Sequence, residues 1–354
     1  MKVASVGTSL PDHYYPQDDI LRYFTNTCWK NSGIDFKKLK RIAGNVQVDG
    51  RYSSLKLEEL ITLSDFGVSN KLWLKNATKL GSSALVESIE KSPLCADDIK
   101  TIVSTTVTGI ATPSLEARLM NCLDLPENLK RVPLFGLGCV AGVAGIARTS
   151  DYLRAFPAEA GVLLSVEQCF LTFQKDDLSI ENMVGSSLFG DGAAAVTMVG
   201  QDHPAYDMAK GPEILASQST FYPDTETAMG WDIRSTGFKL LLSAEVPDLV
   251  EAKLRSNVDD FLARHNLSLK DIKSYVCHPG GPKVLKAIEK SLDLSSDELH
   301  VTWDNLKRNG NLSSSSVLFV LRDTMEKYRP GPGTYGLMIA MGPAFCSELI
   351  LIRW

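Results

Sequence analysis

Three polar side chains stand where this chain could do chemistry. Cys139 lies in Leu137-Gly138-Cys139-Val140-Ala141-Gly142, where a run of strand-type residues gives way to a helical pattern. A thiol at a strand-to-helix turn sits at the positive end of the helix dipole, beside free backbone N–H groups. Both favour thiolate, the nucleophilic form. Gly136, Gly138 and Gly142 around it let backbone come close to a ligand. His278 ends a strand and enters Pro279-Gly280-Gly281-Pro282, a rigid turn with Pro282 placed for the first position of a helix. An imidazole there can donate to a developing oxyanion or steady a neighbouring thiolate. Asn311, in Gly310-Asn311-Leu312-Ser313-Ser314, reads either as a helix N-cap or as a neutral amide donor for an oxyanion hole. Taken singly, each also has a plain structural reading: a small buried hydrophobe, a packed histidine, a cap.

The elements that must hold these residues read as alternating buried strands and amphipathic helices, the α/β signature. Strands are predicted over 2–7, 100–107, 132–137, 161–166 and 193–199, then 213–219, 274–277, 336–341 and 348–354. Helices are predicted over 77–91, 140–156, 246–264, 282–291 and 311–328. The turn-like Gln201-Asp202-His203-Pro204 divides two similar halves, 1–200 and 201–354. Two stretches, 14–49 and 170–188, show no clear period.

Composition bounds the function. The 354 residues are 44% hydrophobic and 22% charged with net charge −5, as in ordinary globular proteins, and argue against general nucleic-acid or membrane-surface binding. No apolar run approaches the roughly 18 residues of a membrane span, and the start reads as no signal peptide. Seven scattered cysteines without a CxxC pair argue for a reducing, cytoplasmic setting, without disulfide framework or zinc site.

With Cys139, His278 and Asn311 in this order, with His278-Pro279-Gly280-Gly281-Pro282, Gly310-Asn311-Leu312-Ser313-Ser314, Phe189-Gly190-Asp191-Gly192 and Gly342-Pro343-Ala344-Phe345, the chain resembles the type III polyketide synthases, the chalcone-synthase-like branch of the thiolase superfamily. The resemblance covers nearly the whole chain. It implies a five-layered αβαβα thiolase fold built from two similar halves, a homodimer, and a Cys139–His278–Asn311 triad. Cys139 would accept an acyl group from an acyl-CoA starter. His278 and Asn311 would polarise malonyl-CoA, so that loss of CO2 leaves an enolate that attacks the Cys139 thioester. No cofactor and no metal is implied.

The resemblance also assigns a cavity wall. Phe189 falls at a gatekeeper phenylalanine, Leu240 replaces a second one, and Trp231 stands where plant members carry a small residue. Cys169 and Thr172 line the same cavity, Thr112 reaches toward the partner subunit, and Ala344 replaces a more usual glycine. CoA phosphates would meet Lys38, Arg41 and Arg51. The wording around Cys139 and from Met229 to Pro247 is similar to bacterial members that turn fatty acyl starters into alkylpyrones or alkylresorcinols. Two rivals use the same triad or fold: a ketosynthase III-like enzyme fed by acyl carrier protein, including one that joins two β-ketoacyl chains into a pyrone, and a catalytically silent thiolase-fold scaffold.

Overall fold

A computed structural model describes residues 1–33 and 36–354; residues 34 and 35 and the side chain of Lys38 lie outside the described residues. The strands are β1 (Lys2–Ser9), β2 (His13–Pro16), β3 (Gly50–Ser53), β4 (Ile99–Thr106), β5 (Lys130–Phe135), β6 (Ala160–Gln168), β7 (Asp191–Val199), β8 (Glu213–Phe221), β9 (Met229–Arg234), β10 (Gly237–Leu242), β11 (Ile272–Cys277), β12 (Tyr335–Gly342) and β13 (Cys346–Arg353). The helices are α1 (Gln17–Asn26), α2 (Phe36–Asn45), α3 (Leu57–Leu60), α4 (Phe66–Glu90), α5 (Leu115–Leu119), α6 (Ala141–Ala155), α7 (Ile180–Leu188), α8 (Val246–Ala263), α9 (Pro282–Leu292), α10 (His300–Asn309) and α11 (Ser316–Lys327).

Two mixed halves of one nine-stranded sheet, β5-β4-β6-β7-β1 and β11-β12-β13-β8, repeat one pattern: parallel strands at the outer edge, three in the first and two in the second, then antiparallel partners. They join edge to edge through β1 and β8, whose register holds a single pair, Lys2 with Glu213. Apart from the exposed edge strand β5 and the far end of β8, both halves are covered on both faces, so the strands alternate between two cores rather than between core and water. In β12, Leu337 and Ile339 face one core, while Met338 and Ala340 face the other. In β7, Ala193 and Ala195 pack with α4 residues such as Ala77 and Leu80, while Ala194 and Val196 pack with Val143 of α6 and Val317 of α11. Helices α6 and α11 therefore form the middle layer, and α4 and the α8–α9 pair the outer ones, with Val250, Leu254 and Leu285 under the second sheet. This is the five-layered αβαβα arrangement of two similar halves.

The middle layer explains why the first turns of α6 and α11 are buried on every side: Ala141 to Ala147 and Ser316 to Leu321 are all buried. It also explains Gly142, since a Cβ there would lie 2.3 Å from the Ser314 carbonyl oxygen. Only their C-terminal ends are solvated, at Arg148, Asp151 and Arg154 of α6 and at Glu326 and Lys327 of α11, and the two helices follow the chain segments that bear Cys139 and Asn311.

Some boundaries differ from expectation. The fifth strand runs over Lys130–Phe135 rather than 132–137, because Gly136, at φ 90°, turns the chain out of the sheet. The helix expected from 77 begins at Phe66, capped by Asp65, whose carboxylate accepts from Val68 N–H at 3.0 Å. The two aperiodic stretches contain α1, α2 and α7. No helix among the described residues is long and apolar enough to cross a membrane.

Candidate active site

Cys139 sits in a single 3₁₀ turn, Gly138–Val140, that runs straight into α6. Gly138 takes φ 57°, and a Cβ on it would lie 2.6 Å from Pro343. Gly138 and Gly142 thus serve close packing of this turn against Pro343 and the Ser314 carbonyl, while a Cβ on Gly136 would meet nothing within 4 Å. His278 follows β11 and receives its place from a backbone bond, His278 N–H to Ile339 O at 2.8 Å. Pro282 opens α9 as expected. Asn311 closes the start of the Ser313–Ser315 turn and also reaches away from it: its Oδ1 accepts from Ser313 N–H at 2.7 Å, and its Nδ2 donates to Gly280 O at 3.2 Å. One amide N–H is thereby tied to the turn after His278, and the second is left to act elsewhere.

Cys139, His278 and Asn311 line one cavity of about 40 Å³. Its remaining wall is apolar, from Met229, Leu242 and Val246 to Val284, Ile288 and Phe345. The Cys139 thiol donates to Ser313 Oγ at 3.7 Å. Both ring nitrogens of His278 are buried with no hydrogen-bond partner. Burial pushes the Cys139 thiol up to about 12 and the His278 imidazole down to about 3. This corrects the expectation of a standing thiolate. Desolvation outweighs the helix terminus, so neither group charges alone in the cavity. Sharing one proton between sulfur and imidazole would keep the cavity neutral, but in this structure the thiol's bond goes to Ser313 and neither ring nitrogen has a partner.

Phe189 lines this cavity and also a second one, of about 30 Å³, together with Trp231, Leu240, Cys169 and Thr172. The sequence reading thus brought together five residues that do share a wall. Trp231 and Leu240 are cross-strand partners in the β9–β10 hairpin, and the Trp231 ring lies 6.5 Å from that of Phe189. Thr112 is exposed and lines neither cavity within one chain.

The CoA candidates fare differently. Arg41 is exposed on α2, and the side chain of Lys38 lies outside the described residues. Arg51 is fully buried in β3, so it cannot meet a phosphate arriving from solvent. It instead lines the second cavity, and its Nη1 donates to Ser186 O at 2.6 Å and Phe189 O at 3.0 Å. Glu167, which the sequence did not single out, lies buried behind Cys139, held by Ser314, by Thr108 Oγ1 at 3.0 Å and by Val107 N–H at 3.1 Å. Burial raises its carboxyl to about 7. A lone acid after the apolar run of β6 was the one signal it gave.

A thiol, an imidazole and a carboxamide around an apolar-walled cavity can hold an acyl group and stabilise an oxyanion. Among known proteins, residues 1–203 match the N-terminal domain of the chalcone and stilbene synthases, and residues 213–354 match their C-terminal domain. The chain belongs to the chalcone and stilbene synthase family: it is a type III polyketide synthase, an acyltransferase that extends CoA thioesters by decarboxylative Claisen condensation. It is 44% identical over 352 residues to a 1,3,6,8-tetrahydroxynaphthalene synthase of Streptomyces peucetius subsp. caesius, covering 99% of this chain and 93% of that protein. A phloroglucinol synthase of Pseudomonas fluorescens is 30% identical, covering 98% of both. The structure overlays that of the type III polyketide synthase 1,3,6,8-tetrahydroxynaphthalene synthase from Streptomyces coelicolor A3(2) with a TM-score of 0.93 at 26% identity, over 100% of this chain and 99% of that one.

Proposed function

We propose that Cys139 is the acyl acceptor and that His278 and Asn311 are the oxyanion donors of this synthase, acting on malonyl-CoA to build a short polyhydroxylated aromatic product. The observation that carries this reading is the convergence of the three side chains on one cavity bounded by Phe189. The Cys139 sulfur attacks the starter thioester, its proton moves to His278, and CoA leaves with that proton. Malonyl-CoA then sets its thioester oxygen against the neutral His278 N–H and the Asn311 amide. The bond to the carboxylate breaks, CO2 departs, and the electron pair forms an enolate whose oxygen those donors hold. The enolate carbon attacks the Cys139 thioester, the C–S bond breaks, and the chain leaves two carbons longer. The small, partly polar space behind Phe189, with Thr172, Asn182 and Ser186, supports short oxygen-rich chains, as does the likeness to synthases named for tetrahydroxynaphthalene and phloroglucinol.

A fatty acyl starter leading to an alkylpyrone or alkylresorcinol is the second reading, supported by the apolar wall from Met229 to Phe345. Product masses decide between them: malonyl-CoA alone is set against malonyl-CoA with acyl-CoAs of rising length. Aromatic product from malonyl-CoA alone supports the first; product only with long acyl-CoA overturns it.

Homodimer formation belongs to the same reading. β5 ends the sheet with Val132 41% and Phe135 53% exposed, beside Ile110, and an unpaired apolar edge is a pairing surface. Val132→Glu is expected to yield monomers by light scattering. A dimer of unchanged mass refutes this edge as the interface.

A further inference from the structure

We propose that Arg51 is a specificity-determining residue that receives a carboxylate at the far end of the acyl group carried by Cys139. This deepens the reading given under Proposed function and rests on it. Arg51 is 0% exposed and lines the cavity on the far side of Phe189. Its Nη1 is spent on the carbonyls of Ser186 and Phe189, at the end of α7. Its Nε and Nη2 are buried without any partner. These two nitrogens form one edge of the guanidinium, the fork that matches a carboxylate with two parallel hydrogen bonds.

Among the described residues, no acid fills that fork. Asp191, the nearby carboxylate, accepts from Ser54 N–H at 2.7 Å and Phe170 N–H at 2.8 Å. The other polar lining is neutral: Thr172, Asn182 and Ser186. A buried cation with two orphan donors is costly to keep unless something negative comes to it. The stem of Arg51 is held in place, since a Cβ on Gly310 would lie 3.0 Å from its Cγ and the Phe170 ring lies 5.0 Å from its Cζ. The donors are therefore preset. Burial lowers the guanidinium only to about 9, so it stays charged at neutral pH.

The chemistry follows. Malonyl-CoA and the Cys139 thiol exchange: the new C–S bond forms on Cys139, the bond to CoA breaks, and the thiol proton leaves on CoA. No CO2 is lost in this step. The carboxylate that remains on the starter is turned toward Phe189 and the Arg51 guanidinium, whose Nη1 holds the Phe189 carbonyl at 3.0 Å, and is kept. A neutral acyl starter gains nothing from the fork.

Intact-protein mass spectrometry reads the adduct on Cys139 after incubation with malonyl-CoA, acetyl-CoA or hexanoyl-CoA. In Arg51→Gln the carboxylate-bearing adduct is expected to fall about tenfold or more relative to the neutral adducts, with Arg51→Lys between. Equal loss of all adducts, or an unchanged malonyl adduct, overturns the proposal. If Arg51→Gln does not fold, the wild-type enzyme answers: malonyl-CoA is set in competition with its methyl ester, the same shape without the charge. A preference of about tenfold for the acid supports the fork, and equal loading overturns it. Absence of any adduct on Cys139 instead refutes the thioester reading itself, so the two failures are distinct.

Discussion

Phe189 and Asn311 are joined by a parallel β-bridge. Asn311 N–H donates to Leu188 O at 2.9 Å, and Gly190 N–H donates to Asn311 O at 3.0 Å. The residue that divides the two cavities and the amide that faces Cys139 are therefore held by one backbone clamp. The clamp involves no side chain of Phe189, so that side chain can be removed without moving the amide. Phe189→Ala is expected to merge the cavities and shift products toward longer or differently closed chains, with acylation of Cys139 within about threefold of wild type. An unchanged product profile by liquid chromatography and mass spectrometry would count against Phe189 as the dividing wall.

The paired charging of Cys139 and His278 has a pH signature. With the imidazole present, sulfur can hand its proton to a neighbour; without it, a lone thiolate must form against burial that pushes the thiol up. In His278→Ala, alkylation of Cys139 by iodoacetamide at neutral pH is expected to fall about tenfold or more, and the pH–rate curve to move to higher pH. Coincident curves for the two proteins would sink the paired mechanism.

Glu167 should mark the stability curve. Its folded carboxyl is raised to about 7, so its contribution is fully present below the unfolded value of 4.5 and is lost as pH rises through about 7. Ionising it inside the fold costs on the order of 3 kcal/mol at pH 8. Asp191, raised to about 6, acts in the same direction. The melting temperature of Glu167→Gln relative to wild type is expected to rise between about pH 4.5 and 7.5. A flat difference across that window contradicts the assignment.

Ala344 adopts φ 56°, the left-handed region that favours glycine. It sits in the turn between β12 and β13, next to the Pro343 that packs on Gly138. Ala344→Gly is expected to stabilise the protein by about 0.5–1 kcal/mol in urea unfolding, the strain relieved being partly offset by the freer unfolded chain. A destabilised variant would show that the turn carries no strain.

The layered frame was legible because most of its strands are buried on both faces and read as apolar runs; all nine strands expected from the sequence exist, from β1 to β13. The short pairs β2–β3 and β9–β10 were not found, since half-buried strands of four to six residues carry little period. Trp231 and Leu240 came from the resemblance, not from pattern. Arg51 misled for a physical reason. A basic residue in a polar segment reads as solvated, and only the packing of β3 under α7 and Phe170 buries it. The charge state of Cys139 was likewise beyond reach, because local position gives the dipole while desolvation comes from the far half of the chain.

The seam between the sheets has a practical consequence. Beyond the Lys2–Glu213 pair, it consists of a few main-chain bonds, such as Val3 N–H to Pro212 O at 2.9 Å and Gly211 N–H to Val3 O at 3.0 Å. Cohesion comes instead from the two interior helices, which belong to different stretches of sequence and bury against each other. The connecting segment is surface-borne, with Met208 57% exposed. Peptide-bond continuity at that point is thus dispensable to the architecture. Co-expressed fragments cut after Asp207 should find each other and restore turnover, which would make this synthase a natural scaffold for complementation reporters.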